Sequence, residues 1–202
     1  MSYVKIYIAR MGRGSVTTLG YAILGLLSRE ALSGYDLSSR MRAPVGYFWE
    51  ARHSQIYPEL ARLEELGLVS HHVVEQSDRP DKKVYEITPQ GLRALKGWVT
   101  EPPKPRAARD ELVLKAYSVW LTEPKEALAL IREEESRHVE RLLEYERRAD
   151  WMEREWGEET LRTDSPRFAS YAALRRGIVY ERGTVEWCRW VAERLERGAG
   201  ER

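Results

Sequence analysis

The sequence predicts a mostly α-helical fold, with one β-hairpin in its first half and long helices in its second. Short apolar repeats at helical spacing, separated by turn residues, fill the first half. Two Val-containing, partly alternating segments flank a turn at residues 76–81 and indicate the hairpin. The densest proline cluster, Glu101-Pro102-Pro103-Lys104-Pro105, ends that half, because proline stops a helix and favours an extended connection.

These prolines predict the domain boundaries. We expect residues 1–16 to form a flexible leader, since no continuous apolar stretch of signal-peptide length occurs there. Residues 17–100 then form the first domain and residues 101–109 a Pro-rich linker. Residues 110–197 form a helical domain for dimerisation and possible effector binding.

The first domain begins with three predicted helices. Thr17-Thr18 is a suitable N-cap for a helix whose apolar residues recur at helical spacing. Ser33 precedes a second, short helix that we expect to end near Arg42, before Pro44 and Gly46. A third helix starts near Arg52 and runs to Leu66, followed by Gly67 as a left-handed terminating residue.

A hairpin and a fourth helix follow. Leu68–Val74 and Lys83–Ile87 read as paired strands around the turn Gln76–Asp81. Thr88-Pro89 places an N-cap before a proline in the first helical turn, so a helix begins there. The order of helix, helix, helix, strand, turn, strand and helix is that of a winged helix-turn-helix.

The second half predicts one amphipathic helix over Asp110–Trp120 and two longer ones. The longer helices carry apolar positions that alternate spacings of three and four, from Leu128 to Trp156 and from Tyr171 to Leu195. Helices of this length cannot bury such a seam against a domain of about 80 residues, so we expect the seam to pair with a second chain. Glu135 and His138 on the seam then set the register of a dimer interface.

Composition excludes several function classes. A net charge of +1 argues against a protein that coats nucleic acid, so any DNA contact is local. The single cysteine, Cys188, excludes an intrachain disulfide and suits a reducing cytoplasm. No apolar run long enough to span a membrane occurs. The sequence shows no phosphate-binding glycine loop or nucleophile elbow, so we expect no enzyme, no catalytic residue and no cofactor.

A metal site is not expected either. Glu135 and His138 have the spacing of a di-iron helix motif, but the second copy that such a site needs is absent from the sequence. His71 and His72 are neighbours on a strand, so their side chains point to opposite faces.

Five segments resemble the PadR family of transcriptional regulators, with the family's longer virulence-activator C-terminal region. They are Ala22–Leu27, Ser33–Leu37, Gln55–Val69, Lys83–Gly91 and Leu174–Trp187. The most specific is the Ile-Tyr-Pro-x-Leu-x-x-Leu-Glu-x-x-Gly-Leu-Val run within residues 56–69. The resemblance implies a homodimeric, sequence-specific regulator that binds double-stranded operator DNA. Such regulators usually repress and are often released by a small aromatic or amphipathic ligand.

In such a fold the first turns of the third helix face base edges in the major groove. The candidate DNA contacts there are Arg52, His53, Ser54, Gln55 and Tyr57. Arginine favours guanine and glutamine pairs with adenine, whereas the other three side-chain types commonly reach phosphates. The alternative for the polar residues is helix capping, and for Tyr57-Pro58 it is packing.

The hairpin of residues 68–87, which we call the wing, adds Arg79, Lys82 and Lys83 as candidate phosphate contacts. The alternative is a solvated turn, because Asp78 and Asp81 cancel part of this charge. Glu59 on the third helix is expected to face away from phosphates.

Seven tryptophans are unusual in a chain of this size. Three of them, Trp98, Trp120 and Trp151, are candidates for contact with a small aromatic effector. The alternative, which we favour, is that they pack in helix-bundle cores or dimer interfaces. A rival function is a winged-helix protein-interaction module without DNA binding. The near-neutral charge and Glu59 favour that rival.

Overall fold

The computed structural model describes residues 16–41, 53–75, 81–103 and 110–200, with side chains to residue 198. Two compact units divide the chain, Met1–Pro103 and Lys104–Arg202. No helix in the described ranges is both long enough and apolar enough to cross a bilayer.

The first unit consists of short helices on a small antiparallel sheet. Its elements are α1 (Thr18–Leu27), β1 (Leu32–Ser33), α2 (Gly34–Arg40), α3 (His53–Glu65), β2 (Val69–Val74), β3 (Lys82–Ile87) and α4 (Pro89–Val99). The order of the described strands across the sheet is β1-β3-β2. This is the predicted winged helix-turn-helix with one addition. The two-residue strand β1 was not predicted, since a pair of residues is too short to show a period.

Side chains from every helix of this unit close one core over the sheet. Ile23, Leu24, Leu37, Ile56 and Leu63 are fully buried there. Tyr85 of β3 and Val69 of β2 contribute from the sheet. The core therefore fixes α3 against α1 and α2 through apolar contact on one helix face.

Gly91 in the first turns of α4 lies close to the backbone just before β2. A Cβ atom at this position would lie 2.1 Å from the carbonyl oxygen of Leu68. That oxygen also accepts a hydrogen bond from the Thr88 amide at 3.0 Å, so it cannot move away without loss. Thr88 caps the helix, with its hydroxyl accepting from the Gly91 amide at 3.1 Å.

The second unit is built on a hairpin of two long helices. Its elements are α5 (Glu111–Tyr117), a 3-10 turn (Val119–Leu121), α6 (Pro124–Trp156), a second 3-10 turn (Gly157–Thr160) and α7 (Pro166–Gly200). The expectation of one helix over Asp110–Trp120 is wrong. Asp110 is the N-cap, and Ser118 leaves the helical conformation at φ −108° and ψ 13°, so the chain tightens into the 3-10 turn.

α6 and α7 are antiparallel, because residues late in α6 meet residues early in α7. Glu153 accepts a hydrogen bond from Tyr171, Glu146 pairs with Arg182 at 2.6 Å, and Arg132 pairs with Glu196 at 2.8 Å. The predicted seam residues of the two helices face each other within one chain. The apolar ones that are buried are Ile131, Tyr145, Ala149 and Met152 on α6, and Leu174, Ile178, Val185, Cys188 and Ala192 on α7.

This hairpin corrects the expectation that the seam needs a second chain. The helices are long, but each covers the other, so their length alone does not require a dimer. The polar residues on the seam are also satisfied within the chain. His138 Nδ1 contacts Glu181, which is nearly fully buried, and Arg141 reaches the same carboxylate at 3.3 Å.

Glu135 forms a second polar bridge across the hairpin. It accepts from Arg132 at 2.7 Å on its own helix and from Arg189 of α7 at 2.8 Å. Burial opposes ionisation of Glu135, but the hydrogen bonds from Arg189 and Arg132 outweigh it and hold its pKa below the usual value. Glu135 and His138 thus set the register between α6 and α7 of one chain, rather than between two chains. Nearby, burial raises the pKa of the Cys188 thiol.

The two glycines of α4 give a matched stability test. Gly91→Ala should lower the free energy of unfolding by about 2 kcal/mol or more, because the new methyl group overlaps a backbone oxygen. Gly97→Ala in the same helix meets nothing within 4 Å and should raise it by up to about 1 kcal/mol through helix propensity. Urea unfolding followed by circular dichroism measures both. A loss of stability in Gly97→Ala equal to that in Gly91→Ala would contradict the close packing of α4 on the sheet.

Candidate nucleic-acid interface

Helix α3 has one buried face and one exposed face. Ile56, Leu60 and Leu63 are fully buried, at the i, i+4 and i+7 spacing that places them on the core. Ser54 and Gln55 are exposed, and Tyr57 is 48% exposed. Ser54, Gln55 and Tyr57 therefore lie on the solvent side of a helix whose other side is fixed by the core.

Three of the sequence-predicted contacts cannot be placed in full. His53 is the first residue of α3, but its side chain lies outside the described part of the structure. Arg52, just before the helix, and Arg79, in the wing turn, also lie outside the described residues.

Tyr57 has a packing contact in addition to its exposure. A Cβ atom added at Gly34 would meet Tyr57 Cε1 at 2.5 Å, so the ring rests directly against the first residue of α2. The packing interpretation and the DNA interpretation of Tyr57 are compatible, because one edge of the ring is seated while about half of the side chain remains exposed. This contact sets the spacing between α2 and the start of α3.

Glu59 faces into the fold rather than towards solvent. Its side chain is buried, and the Thr17 hydroxyl donates to its Oε1 at 2.6 Å. The same hydroxyl accepts from the Gly20 amide at 2.9 Å and so caps α1. The only acid in the first half of α3 is thereby removed from the surface that would meet phosphates. The sequence gives no signal for this tie, since Thr17 and Glu59 are far apart in the chain.

The two wing lysines differ in their surroundings. Lys82 Nζ lies 2.9 Å from Asp36 Oδ2, whereas the neighbouring Lys83 is exposed. Asp36 belongs to the capping box at the start of α2, where it exchanges hydrogen bonds with Ser33. The Ser33-x-x-Asp36 spacing is a sequence signal for this box, although its link to the wing is not visible in the sequence.

The histidines of β2 have separate partners. His71 Nδ1 lies 2.5 Å from Glu64 Oε1 of α3, and His72 Nδ1 lies 3.8 Å from Glu86 Oε1 of β3. Within the described ranges, no group of three or more His, Cys, Asp or Glu residues is arranged to hold a metal ion.

The two candidate effector tryptophans of the second unit, Trp120 and Trp151, do not come together in one site. Trp98 belongs to the first unit and stacks on Tyr21, with ring centroids 4.5 Å apart. Trp120 lies in the 3-10 turn and is 79% exposed. Trp151 packs edge-on against Trp156 and carries the Arg148 guanidinium 4.3 Å from its ring. The helical rise places Trp151 about 40 Å from the first residue of α6, so one chain cannot bring Trp120 and Trp151 to one small ligand.

The fold and the exposed start of α3 define the class of protein as a winged helix-turn-helix. Residues 23–97 match the Transcriptional regulator PadR-like family, and residues 108–196 match the Virulence activator alpha C-term family. The negative transcriptional regulator PadR of Bacillus subtilis is 32% identical over 180 residues, which cover 89% of this chain and 98% of that protein. The chain therefore belongs to the PadR-like family of transcriptional regulators, which is not a family of enzymes.

Solved structures give the same relationship. The crystal structure of Bacillus subtilis PadR in complex with operator DNA superposes with a TM-score of 0.80 at 31% identity, over 90% of this chain and 99% of that one. The complex of the same protein with p-coumaric acid matches with a TM-score of 0.63 at 30% identity, over 89% and 99%. The Vibrio cholerae virulence activator AphA matches with a TM-score of 0.70 at 27% identity, over 90% and 100%.

The buried tie between Glu59 and Thr17 predicts a stability effect that depends on the acceptor oxygen. Glu59→Ala should lower the free energy of unfolding by about 1–3 kcal/mol, because the Thr17 hydroxyl loses its acceptor. Glu59→Gln should cost less, since the amide oxygen still accepts that bond. Glu65→Ala, at an exposed position of the same helix, is the control. Equal losses in Glu59→Ala and Glu65→Ala, measured by urea unfolding, would rule out a structural role for the tie.

Proposed function

We propose that this chain is a ligand-responsive repressor that binds operator DNA in the cytoplasm as a homodimer. The observation that carries the proposal is the match at a TM-score of 0.80 to Bacillus subtilis PadR in complex with operator DNA, together with the exposed first turns of α3. A start of this helix that exposes Ser54 and Gln55 and carries no acid suits insertion between phosphate backbones.

The proposed roles along α3 follow from side-chain chemistry. Gln55 is the base-reading residue, because its amide pairs bidentately with adenine, and Arg52 suits guanine. His53, Ser54 and Tyr57 are proposed as phosphate contacts that fix the helix in the groove. In the wing, Lys83 and Arg79 are proposed to contact the backbone.

The homodimer is supported by apolar surface in the second unit that the chain itself leaves exposed. Large apolar side chains project from α5 and the 3-10 turn after it: Val113, Leu114, Tyr117, Trp120 and Leu121. Leu112 of the same segment packs on the hairpin core and holds the segment in place. Exposed apolar surface of this kind favours association with a second copy, and dimers are the commonest closed assembly.

A second surface with apolar side chains lies in an open groove of about 580 Å³ along the α6–α7 hairpin, which Arg182, Glu186, Arg189 and Glu193 also line. Its apolar lining includes Val139, Leu142, Leu143, Val185 and Trp190. In a two-fold dimer each surface occurs twice, so the segment of one copy and the groove of the other can cover each other reciprocally. The dimer would thus depend on outer faces of the hairpin, while the seam between its helices stays within one chain.

The effector is proposed to be a small aromatic acid, by analogy with the p-coumaric acid complex of the Bacillus subtilis relative. Trp98, Trp120 and Trp151 are proposed as separate candidate contacts, because one chain does not bring Trp120 and Trp151 to one small ligand. Trp120 is the most accessible of them, whereas one face of Trp98 is covered by Tyr21. A ligand at Trp120 would act where the dimer is proposed to form.

The alternative of a protein-interaction module without DNA binding has lost one of its two supports. Glu59 is buried, so the exposed start of α3 carries no acid. The net charge of +1 still favours that alternative.

DNA binding is tested with the DNA upstream of the protein's own gene. The wild type should bind it with an affinity that falls steeply with salt, and p-coumaric acid added to the same assay should release it. Gln55→Ala should relax sequence preference, whereas Lys83→Ala should weaken binding to all sequences alike and reduce the salt slope by about one unit. Fluorescence anisotropy at several salt concentrations measures these effects. Equal effects of both variants on every DNA would remove Gln55 from base reading, and a wild type without promoter preference would favour the interaction module.

The dimer is tested with a pair of surface variants in the second unit. Trp120→Ser should weaken the dimer by about tenfold or more, because a buried aromatic anchor commonly dominates an interface. Leu161→Ser is the matched control, since Leu161 is 74% exposed in the same unit but lies outside both apolar surfaces. Sedimentation equilibrium gives the dissociation constants. An unchanged constant in Trp120→Ser, or an equal change in both variants, would exclude this face from the interface.

A further inference from the structure

Two adjacent lysines at the start of β3 are placed in different environments. Lys82 Nζ is 2.9 Å from Asp36 Oδ2, and both side chains are a little over one third exposed. Lys83 is exposed and, as the next residue of the strand, projects to the opposite face. Charge alone would assign both lysines to DNA phosphates, but only Lys83 has the surroundings of such a contact.

Asp36 is a prearranged partner for Lys82. Its Oδ2 accepts from the Ser33 hydroxyl at 2.7 Å and from the Ser33 amide at 3.2 Å. The hydrogen bond from Ser33, followed by that from Lys82, holds the pKa of Asp36 below its usual value. The carboxylate is therefore charged and oriented at the first turn of α2 before any ligand arrives.

Lys82 lies in the part of the hairpin where, of the described strands, only β2 pairs with β3, so its contact with Asp36 adds support there. β1 pairs with β3 at Tyr85 and Val84, through Leu32 and Ser33. Nearer the tip, Lys83 and Lys82 pair with Val73 and Val74 of β2, and the described part of β1 does not reach them. A two-stranded ribbon is marginally stable by itself, so the outer half of the wing needs a further contact with the body. The Lys82 side chain provides one.

The start of α2, which Lys82 contacts through Asp36, also packs against α3. Ser33 and Asp36 form the capping box of α2, and the Tyr57 ring rests against Gly34 between them. Residues 33–36 thus contact both α3 and the wing. A shift of the wing at Lys82 would therefore alter the position of the wing relative to α3, the helix proposed to face DNA.

We propose that Lys82 is a positioning residue that clamps the wing to Asp36 of α2, and that Lys83 is the lysine that contacts phosphate. The proposal rests on the proposed DNA-binding function. The clamp orients the wing relative to α3 and adds no phosphate contact of its own. An exposed ion pair contributes little, so its loss should weaken DNA binding by at most about fivefold.

The salt dependence of DNA binding separates the two roles. Lys83→Ala should reduce the slope of log K against log salt by about one unit, as expected for one lost phosphate contact. Lys82→Ala should leave the slope unchanged while weakening binding by at most about fivefold. Asp36→Asn should behave like Lys82→Ala, and the double variant should be no weaker than either single variant.

The direction in which Asp36→Asn changes DNA affinity distinguishes the clamp from a phosphate contact by Lys82. If Lys82 contacts phosphate instead, Asp36→Asn frees it and should strengthen binding, and Lys82→Ala should reduce the slope by about one unit. Either result overturns the proposal. Asparagine keeps an acceptor oxygen for the Ser33 amide, so the capping of α2 is retained in this variant.

Amide hydrogen exchange tests the clamp without DNA. β2 is an edge strand of the described sheet, so only one of the consecutive Val73 and Val74 amides faces β3. Exchange of that amide should accelerate to a similar degree in Lys82→Ala and Asp36→Asn, and should stay at the wild-type rate in Lys83→Ala. Equal exchange in all four proteins would overturn the clamp. A wild type that binds no DNA would instead overturn the proposed function, and the exchange rates would still decide whether Asp36 orders the wing.

Discussion

The hydrogen bond between Thr17 and Glu59 is the directional contact on which the orientation of helix α3 depends. Apolar packing of Ile56, Leu60 and Leu63 holds α3 to the core, but apolar contact is non-directional and tolerates small rotations. A buried carboxylate that accepts from a capping hydroxyl at 2.6 Å does not, because a hydrogen bond depends on both the distance and the direction of its partner. The tie therefore fixes the rotation of α3 about its axis, and with it the direction in which Ser54 and Gln55 point. It also removes an acidic group from the face that is proposed to meet phosphates.

In the second unit, directional polar contacts fix the position of one helix along another, α6 against α7. His138, Arg141 and Glu181 meet at one level of the α6–α7 hairpin, and Glu135 with Arg189 at another. Two apolar seams could slide past each other by one helical turn at small cost, whereas such a shift would separate each of these groups from its partner. The hairpin therefore has one register. That register places Trp190 and Leu143 along one groove, so the proposed dimer surface follows from contacts inside the hairpin.

Much of the fold could be predicted from the sequence, because its elements are marked by local signals. Helix α4 begins after Thr88 as predicted, since the cap and the proline lie within two residues of each other. The helical spacing of Ile56, Leu60 and Leu63 gave the buried face of α3. Contacts between distant residues were not predictable. The seam of α6 predicts an apolar partner, but periodicity does not say whether that partner is the same chain or another. The burial of Glu59 was not predictable for the same reason, because its partner Thr17 comes close only in the folded chain. For the reading residues, the structure supports the exposure of Gln55 and Ser54, and their contact with DNA stays a proposal.

The wing shows why charge in a sequence is an incomplete guide to DNA contacts. A lysine contributes to phosphate binding only to the extent that its charge is not already compensated by a closer anion. Asp36 compensates Lys82, and it is held in place by Ser33 whether or not DNA is present. A protein with a net charge of +1 has little long-range attraction for DNA, so the position of each uncompensated cation matters more than their number. Lys82 is proposed to orient the wing, whereas Lys83 is exposed, so two neighbouring residues of equal charge have different surroundings. We therefore expect DNA affinity to depend on the fixed geometry of a few groups rather than on a broad basic surface.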